Sequence, residues 1–93
     1  MAVYVDDIIV YPGAKPPFHR GSCHMTADTL DELHAAARAI GMRRSWFQDH
    51  KLAPHYDLTP ARRADAVRLG AVEETCREGV LRRRAARVAE GGR

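Results

Sequence analysis

Ser22-Cys23-His24-Met25-Thr26-Ala27-Asp28-Thr29-Leu30-Asp31-Glu32-Leu33 is the stretch on which the fold turns. Residues 22 to 27 read as a short strand that runs straight into a helix start. Thr29 and Glu32 stand at capping-box spacing, with Asp28 as an alternative cap. A helix over 30 to 40 follows, with Leu30, Leu33, Ala37 and Ile40 on one face and Gly41 as its C-terminal stop.

Upstream, Ala2-Val3-Tyr4-Val5 is β-branched and aromatic and enters Asp6-Asp7, then Ile8-Ile9-Val10-Tyr11. This predicts one strand ending near the aspartates, or a bent strand passing through them. Pro12-Gly13 and Pro16-Pro17 break regular structure, so residues 12 to 21 are a loop carrying Lys15, His19 and Arg20, expected to be the most mobile segment.

Downstream, residues 42 to 54 show neither period and predict an ordered connection around buried Trp46 and Phe47. His55-Tyr56-Asp57-Leu58 is extended before Thr59-Pro60, where Thr59 as N-cap and Pro60 at the first position open a second helix ending at Gly70. Its Ala61, Ala64 and Val67 form a small-residue stripe. Ala71-Val72-Glu73-Glu74 fits a short last strand. Thr75 with Glu78 repeats the capping box before a third helix, weakened near its start by Gly79. That helix carries Leu81, Ala85 and Val88 as an apolar stripe, and Gly91-Gly92-Arg93 should fray. The expected architecture is therefore α/β: a small single domain over 1 to 93, with a short three- to four-stranded sheet packed with about three helices.

Composition narrows the class. Hydrophobic residues make up 45% and charged residues 29%, a globular balance without repeats or low-complexity tracts. Cys23 and Cys76 share no metal or redox spacing and read as reduced and structural. No signal-peptide pattern or membrane-length apolar run is present, so a cytoplasmic location is expected. Net charge is +3, but residues 58 to 93 hold nine arginines against five acidic residues, while residues 1 to 57 are nearly balanced. A homodimer is compatible with so small a core.

Five blocks in order, MAVYVDD, CHMTAD (23 to 28), DELHAAARAIG (31 to 41), RRSWFQ (43 to 48) and HYDLT (55 to 59), continue through ARRADAVRLGAVE (61 to 73). Together they resemble a family of small proteins of actinobacteria, other bacteria and their phages catalogued as a domain of unknown function. The likeness fades over the arginine-rich tail. It implies one compact domain and carries no catalytic residue over.

The residues that suit chemistry are Asp6, Asp7, His24, Asp28, His55 and Asp57, all at strand ends or adjacent loops, where ligands of open α/β sheets bind. Carboxylates near histidines suit a divalent metal that positions a phosphate or activates water. Asp6, Asp7 and Asp28 are the candidate metal ligands. His55, Asp57 and His24 are the candidate catalytic groups, because residues two apart on a strand share a face. Arg20 and Arg62 would neutralise phosphate, and Tyr56 and Trp46 join them as candidate ligand contacts, although Tyr56 should turn away from His55 into packing. The same alternation makes Cys23 and His24 a poor ligand pair.

Each assignment has a plainer rival. Asp6 or Asp7 would cap a turn, Asp57 would bond the next helix while His55 packs beside Pro54, and His34 would be a buried, hydrogen-bonded histidine. Trp46 and Phe47 would be core rather than base-stacking platforms. Arg82-Arg83-Arg84 and Arg87 would form a solvated face or subunit contact rather than bind phosphates. His50 and His55 have the H-x4-H spacing of half a zinc finger, but the matching Cys-x2-4-Cys half is absent, as are a Gly-rich phosphate loop and a Gly-x-Ser-x-Gly elbow. The leading expectation is binding of a phosphate-bearing ligand, nucleotide or nucleic acid, at the Asp/His site, with a divalent metal as the candidate cofactor. Its rivals are a noncatalytic nucleic-acid- or protein-binding module using the basic third helix, and a structural homodimer.

Overall fold

The computed structural model describes residues 2–91. Four strands, β1 (Val3–Val5), β2 (Cys23–Ala27), β3 (Tyr56–Leu58) and β4 (Val72–Glu73), form one sheet in the order β3-β2-β1-β4. β1 pairs antiparallel with β2 and parallel with β4, and β2 pairs antiparallel with β3. Three helices, α1 (Leu30–Ala39), α2 (Pro60–Arg68) and α3 (Cys76–Gly91), complete the expected α/β architecture. Gly92 and Arg93, part of the expected frayed end, lie outside the described residues. None of the helices is long and apolar enough to cross a membrane.

Each helix starts where its side chains can satisfy free main-chain N–H groups. Thr29 Oγ1 accepts from Glu32 N–H at 3.2 Å and donates to the Glu32 carboxylate, and Thr59 Oγ1 accepts from Arg62 N–H at 3.3 Å ahead of Pro60. Thr75 and Glu78 form the full reciprocal box at 3.0 and 2.8 Å. Gly41, at φ +80°, ends α1 in the left-handed region that a side chain would strain.

Strand alternation divides the sheet into two unlike faces. On one, Val5, Met25 and Tyr56 lie in cross-strand register beside Cys23 and Leu58, and all five are buried with Leu33 and Ala37 of α1, Ile40 at its C-cap and Ala66 of α2. The other carries Tyr4, Thr26, His24, Asp57 and His55. Here α3 meets the sheet through arginine: Arg82 lies 3.5 Å from the centre of the Tyr4 ring and donates to Glu74 and to Thr26 Oγ1.

That contact overturns the apolar stripe expected for α3. Leu81 and Val88 are exposed, and Gly79 is the buried residue of the helix. A guanidinium can cover an aromatic face and satisfy a buried carboxylate at once, which a leucine cannot. In α2 the buried position is Ala66 rather than Ala61 or Ala64, both exposed, and Leu30 of α1 is also exposed. Phe47 packs edge-on to His34, but Trp46 is 43% exposed and is not core. Ile8 to Tyr11 forms no continued strand; Ile9 makes one bridge to Ser22.

Candidate metal centre

The site grows from one cross-strand row. His24 and Asp57 are register partners on β2 and β3, and Asp6, just past β1, donates its N–H to the His24 carbonyl and so lies opposite His24 on the other side. His55 precedes Asp57 by two residues and faces the same way, as alternation requires. Four polar side chains from three chain segments thus meet on the sheet face that α3 leaves partly open.

Each imidazole is aimed by an acceptor behind it. Asp6 Oδ1 accepts the His24 main-chain N–H at 2.6 Å, and His24 Nδ1 donates to Asp6 Oδ2 at 2.9 Å. His55 Nδ1 donates to the Ala53 carbonyl at 2.7 Å. A carbonyl or carboxylate only accepts, so both Nδ1 atoms carry hydrogen, and the neutral tautomer this selects has its lone pair on Nε2. Those Nε2 atoms lie 3.9 and 3.5 Å from Asp57 Oδ1, whose other oxygen accepts from Gln48 Nε2. The rings of His24 and His55 stand edge to face with centres 4.9 Å apart.

Charge balance follows the contacts. The bond to Asp57 raises the His55 pKa above its ordinary value against the opposing effect of burial, and the same bond holds Asp57 below its own. Burial would raise Asp6, but the bonds from the His24 ring and main chain outweigh it and hold Asp6 low. The two carboxylates are thus held in their ionised form, and the Asp57 carboxylate favours the cationic form of His55.

His24, His55 and Asp57 offer three ligand atoms within 4.8 Å of one another. Tetrahedral ligands at 2.0–2.1 Å from zinc are about 3.3 Å apart, so binding would draw these groups together by about an ångström. Beside them a hollow of ≈ 210 Å³ is lined by Asp6, His24, Thr26, His50, His55 and Arg83. Burial and the neighbouring Arg82 charge lower the Arg83 pKa, and no hydrogen bond or ion pair engages its guanidinium among the described residues.

The expected site residues separate clearly. His24, His55 and Asp57 converge. Asp6 stands behind His24 rather than among the three converging ligand atoms. Asp7 is exposed, accepts the Cys76 N–H at 3.1 Å at the start of α3 and stands outside the three converging ligand atoms. Asp28 lies at the far end of β2, accepting from the Ala2 N–H and the Tyr4 hydroxyl, about 13 Å of strand from His24. Tyr56 is fully buried with its hydroxyl against His34 Nδ1 at 2.9 Å and does not line the hollow.

Arg20 is exposed in the short helical turn Phe18–Arg20. Arg62 donates to the Ile40 carbonyl and, with Trp46 and Asp57, lines a second hollow of ≈ 420 Å³. In the sequence Arg83 stands in a charged run, on one helix face with Arg87, and Gln48 is unmarked. Arg83 carried the right residue type, but the helix face it occupies follows from the Arg82–Tyr4 contact, which no local pattern encodes. Gln48 had no distinguishing signal.

Neither a curated protein nor a solved structure matches the chain. A family model does match over residues 3–86, from β1 through most of α3, and includes every residue of the converging cluster. The chain belongs to the family described as "Protein of unknown function (DUF4031)".

Proposed function

We propose that the protein binds a phosphate-bearing ligand through a divalent metal held by His24 Nε2, His55 Nε2 and Asp57 Oδ1. The observation that carries this reading is the fixed direction of both imidazoles: each Nδ1–H is engaged by an acceptor, leaving two lone pairs and a carboxylate oxygen converging. Metal-binding histidines are oriented in this way by carboxylates and carbonyls behind them. Two imidazoles and one carboxylate suit zinc or a comparable transition metal and leave coordination positions for water or a phosphate oxygen. A bound metal lowers the pKa of coordinated water, which opens phosphoester hydrolysis to the site.

Arg83 supports the phosphate half of the reading. Its partly buried guanidinium feels the Glu74 and Asp6 carboxylates but makes no hydrogen bond to either among the described residues, so its donors are available to a phosphate placed between it and the metal. The test is calorimetric titration with Zn²⁺ and Mn²⁺, followed by inorganic phosphate. One metal per chain and metal-dependent phosphate binding weakened by Arg83→Gln are expected. A folded His55→Ala, Asp57→Ala double variant that keeps the full metal response would overturn the reading.

A second reading, self-association through α3, is favoured by the exposure of Val80, Leu81 and Val88 along that helix. Light scattering at high protein concentration tests it, and a monomer there would dismiss it.

A further inference from the structure

We infer that the second hollow beside Asp57 takes a nucleobase, so that the phosphate-bearing ligand is a nucleotide unit with its base against Trp46; this rests on the phosphate reading above. The hollow is lined by Pro17, Phe18, Met42, Trp46, Asp57 and Arg62, among others. Asp57 thereby belongs both to the converging ligand set and to the wall of this hollow. A ligand whose phosphate sits at the metal would reach this aromatic recess past Asp57.

The backbone explains why an aromatic side chain is presented there. Phe47 turns inward against His34 and Tyr56, and Gln48 pairs with His55 through two main-chain bonds of 2.9 and 3.0 Å while its side chain holds Asp57. Trp46, preceding Phe47, is left 43% exposed on the hollow. Arg43 and Arg62 stand 5.7 and 5.8 Å from its ring centre, at the outer reach of a cation–π contact, whereas Arg82 lies fully over Tyr4 at 3.5 Å. Both guanidiniums thus lie over the Trp46 ring, but farther out than Arg82 lies over Tyr4. Aromatic rings bordered by arginine, next to a phosphate position, match the way single bases are held by stacking with backbone neutralisation.

Trp46 is the single tryptophan of the chain, so its fluorescence reports the hollow directly. With Zn²⁺ present, adenosine 5′-monophosphate, ribose 5-phosphate and a 5′-phosphorylated adenylate dinucleotide are titrated by calorimetry and fluorescence. The adenylate should quench Trp46 and bind about 5- to 150-fold more tightly than ribose 5-phosphate, the range of one stacked base. Trp46→Ala should erase that ratio and Trp46→Phe should keep part of it. The dinucleotide arm separates a free nucleotide from a strand end, and a preference for either over ribose 5-phosphate supports the inference. Equal binding of adenylate and ribose 5-phosphate, or a ratio that survives Trp46→Ala, overturns it while leaving the phosphate site standing. Failure of all three to bind to protein that has taken up zinc overturns the phosphate reading and this inference with it.

Discussion

Asp6 grips His24 at two points, taking the main-chain N–H on one carboxylate oxygen and the ring Nδ1–H on the other, at 2.6 and 2.9 Å. The residue is 9% exposed, so few waters compete for those bonds. Asp6 therefore fixes both the position of β2 at this row and the direction of the His24 ring.

Asp6→Asn keeps the shape but loses the charge and one acceptor. Zinc affinity should fall about 10- to 100-fold, the usual effect of losing a carboxylate behind a ligating histidine. Calorimetric titration of the variant against the parent measures it, with far-UV circular dichroism to confirm that the fold persists. An unchanged affinity would mean that Asp6 serves only the fold.

Without metal, stability should peak in mildly acidic solution. His55 is raised above its ordinary 6.5, so its contribution is complete below that value and is lost as pH rises through the folded-state pKa. Asp57 and Asp6 are depressed below their ordinary 3.8, so theirs is present above it and is lost as pH falls through the folded-state values. The window between these two limits should be the most stable for chelator-treated protein in urea titrations. His55→Ala should flatten the alkaline side of that maximum and leave the acidic fall from Asp6 in place.

The three consecutive arginines should behave very differently. Arg82→Ala strips Glu74, whose side chain is 9% exposed, and buried Thr26 of their donor and uncovers Tyr4, so it should cost about 3 kcal/mol or more. Arg84 is exposed, and Arg84→Ala should fall within about 0.5 kcal/mol of the parent. Paired urea denaturation curves decide; similar losses at both positions would contradict the inward placement of Arg82.

Gly79→Ala should destabilise although alanine is the better helix former. A Cβ at Gly79 would stand 2.5 Å from Glu74 Oε2, which is held by Arg82 at 3.0 Å. Helix propensity favours alanine by about 1 kcal/mol, and crowding of this kind costs about 1–3 kcal/mol, so a net loss of about 1 kcal/mol is expected from the midpoint of unfolding. A stabilised variant would show that the Glu74 carboxylate moves aside freely.

Much of the fold was legible because its signals are local. The pairs Thr29 with Glu32 and Thr75 with Glu78, the Thr59-Pro60 start and the Gly41 stop each specify a helix end through a bond made within a few residues. Alternation along His55-Tyr56-Asp57 was also readable, and it put His55 and Asp57 together with Tyr56 opposite. Joining them to His24 required strand register, which arises from which faces find a core and is not written in either segment alone. Asp28 looked equivalent to Asp6 because both follow strands, yet β1 and β2 are antiparallel neighbours, so the two aspartates lie at opposite ends of the strand pair. Leu81 and Val88 misled for a related reason: periodicity marks a stripe but not what covers it, and Tyr4, Glu74 and Thr26 selected arginine instead.

The two faces of β2 make the ligand set hostage to correct strand pairing. Slippage of that segment by a single residue would bury the imidazole of His24 among Leu33 and Leu58 and present the thiol of Cys23 in its place. No partly misaligned conformer can keep three converging donors, so uptake of zinc would double as a probe of native alignment, reporting misfolded molecules that circular dichroism would count as intact.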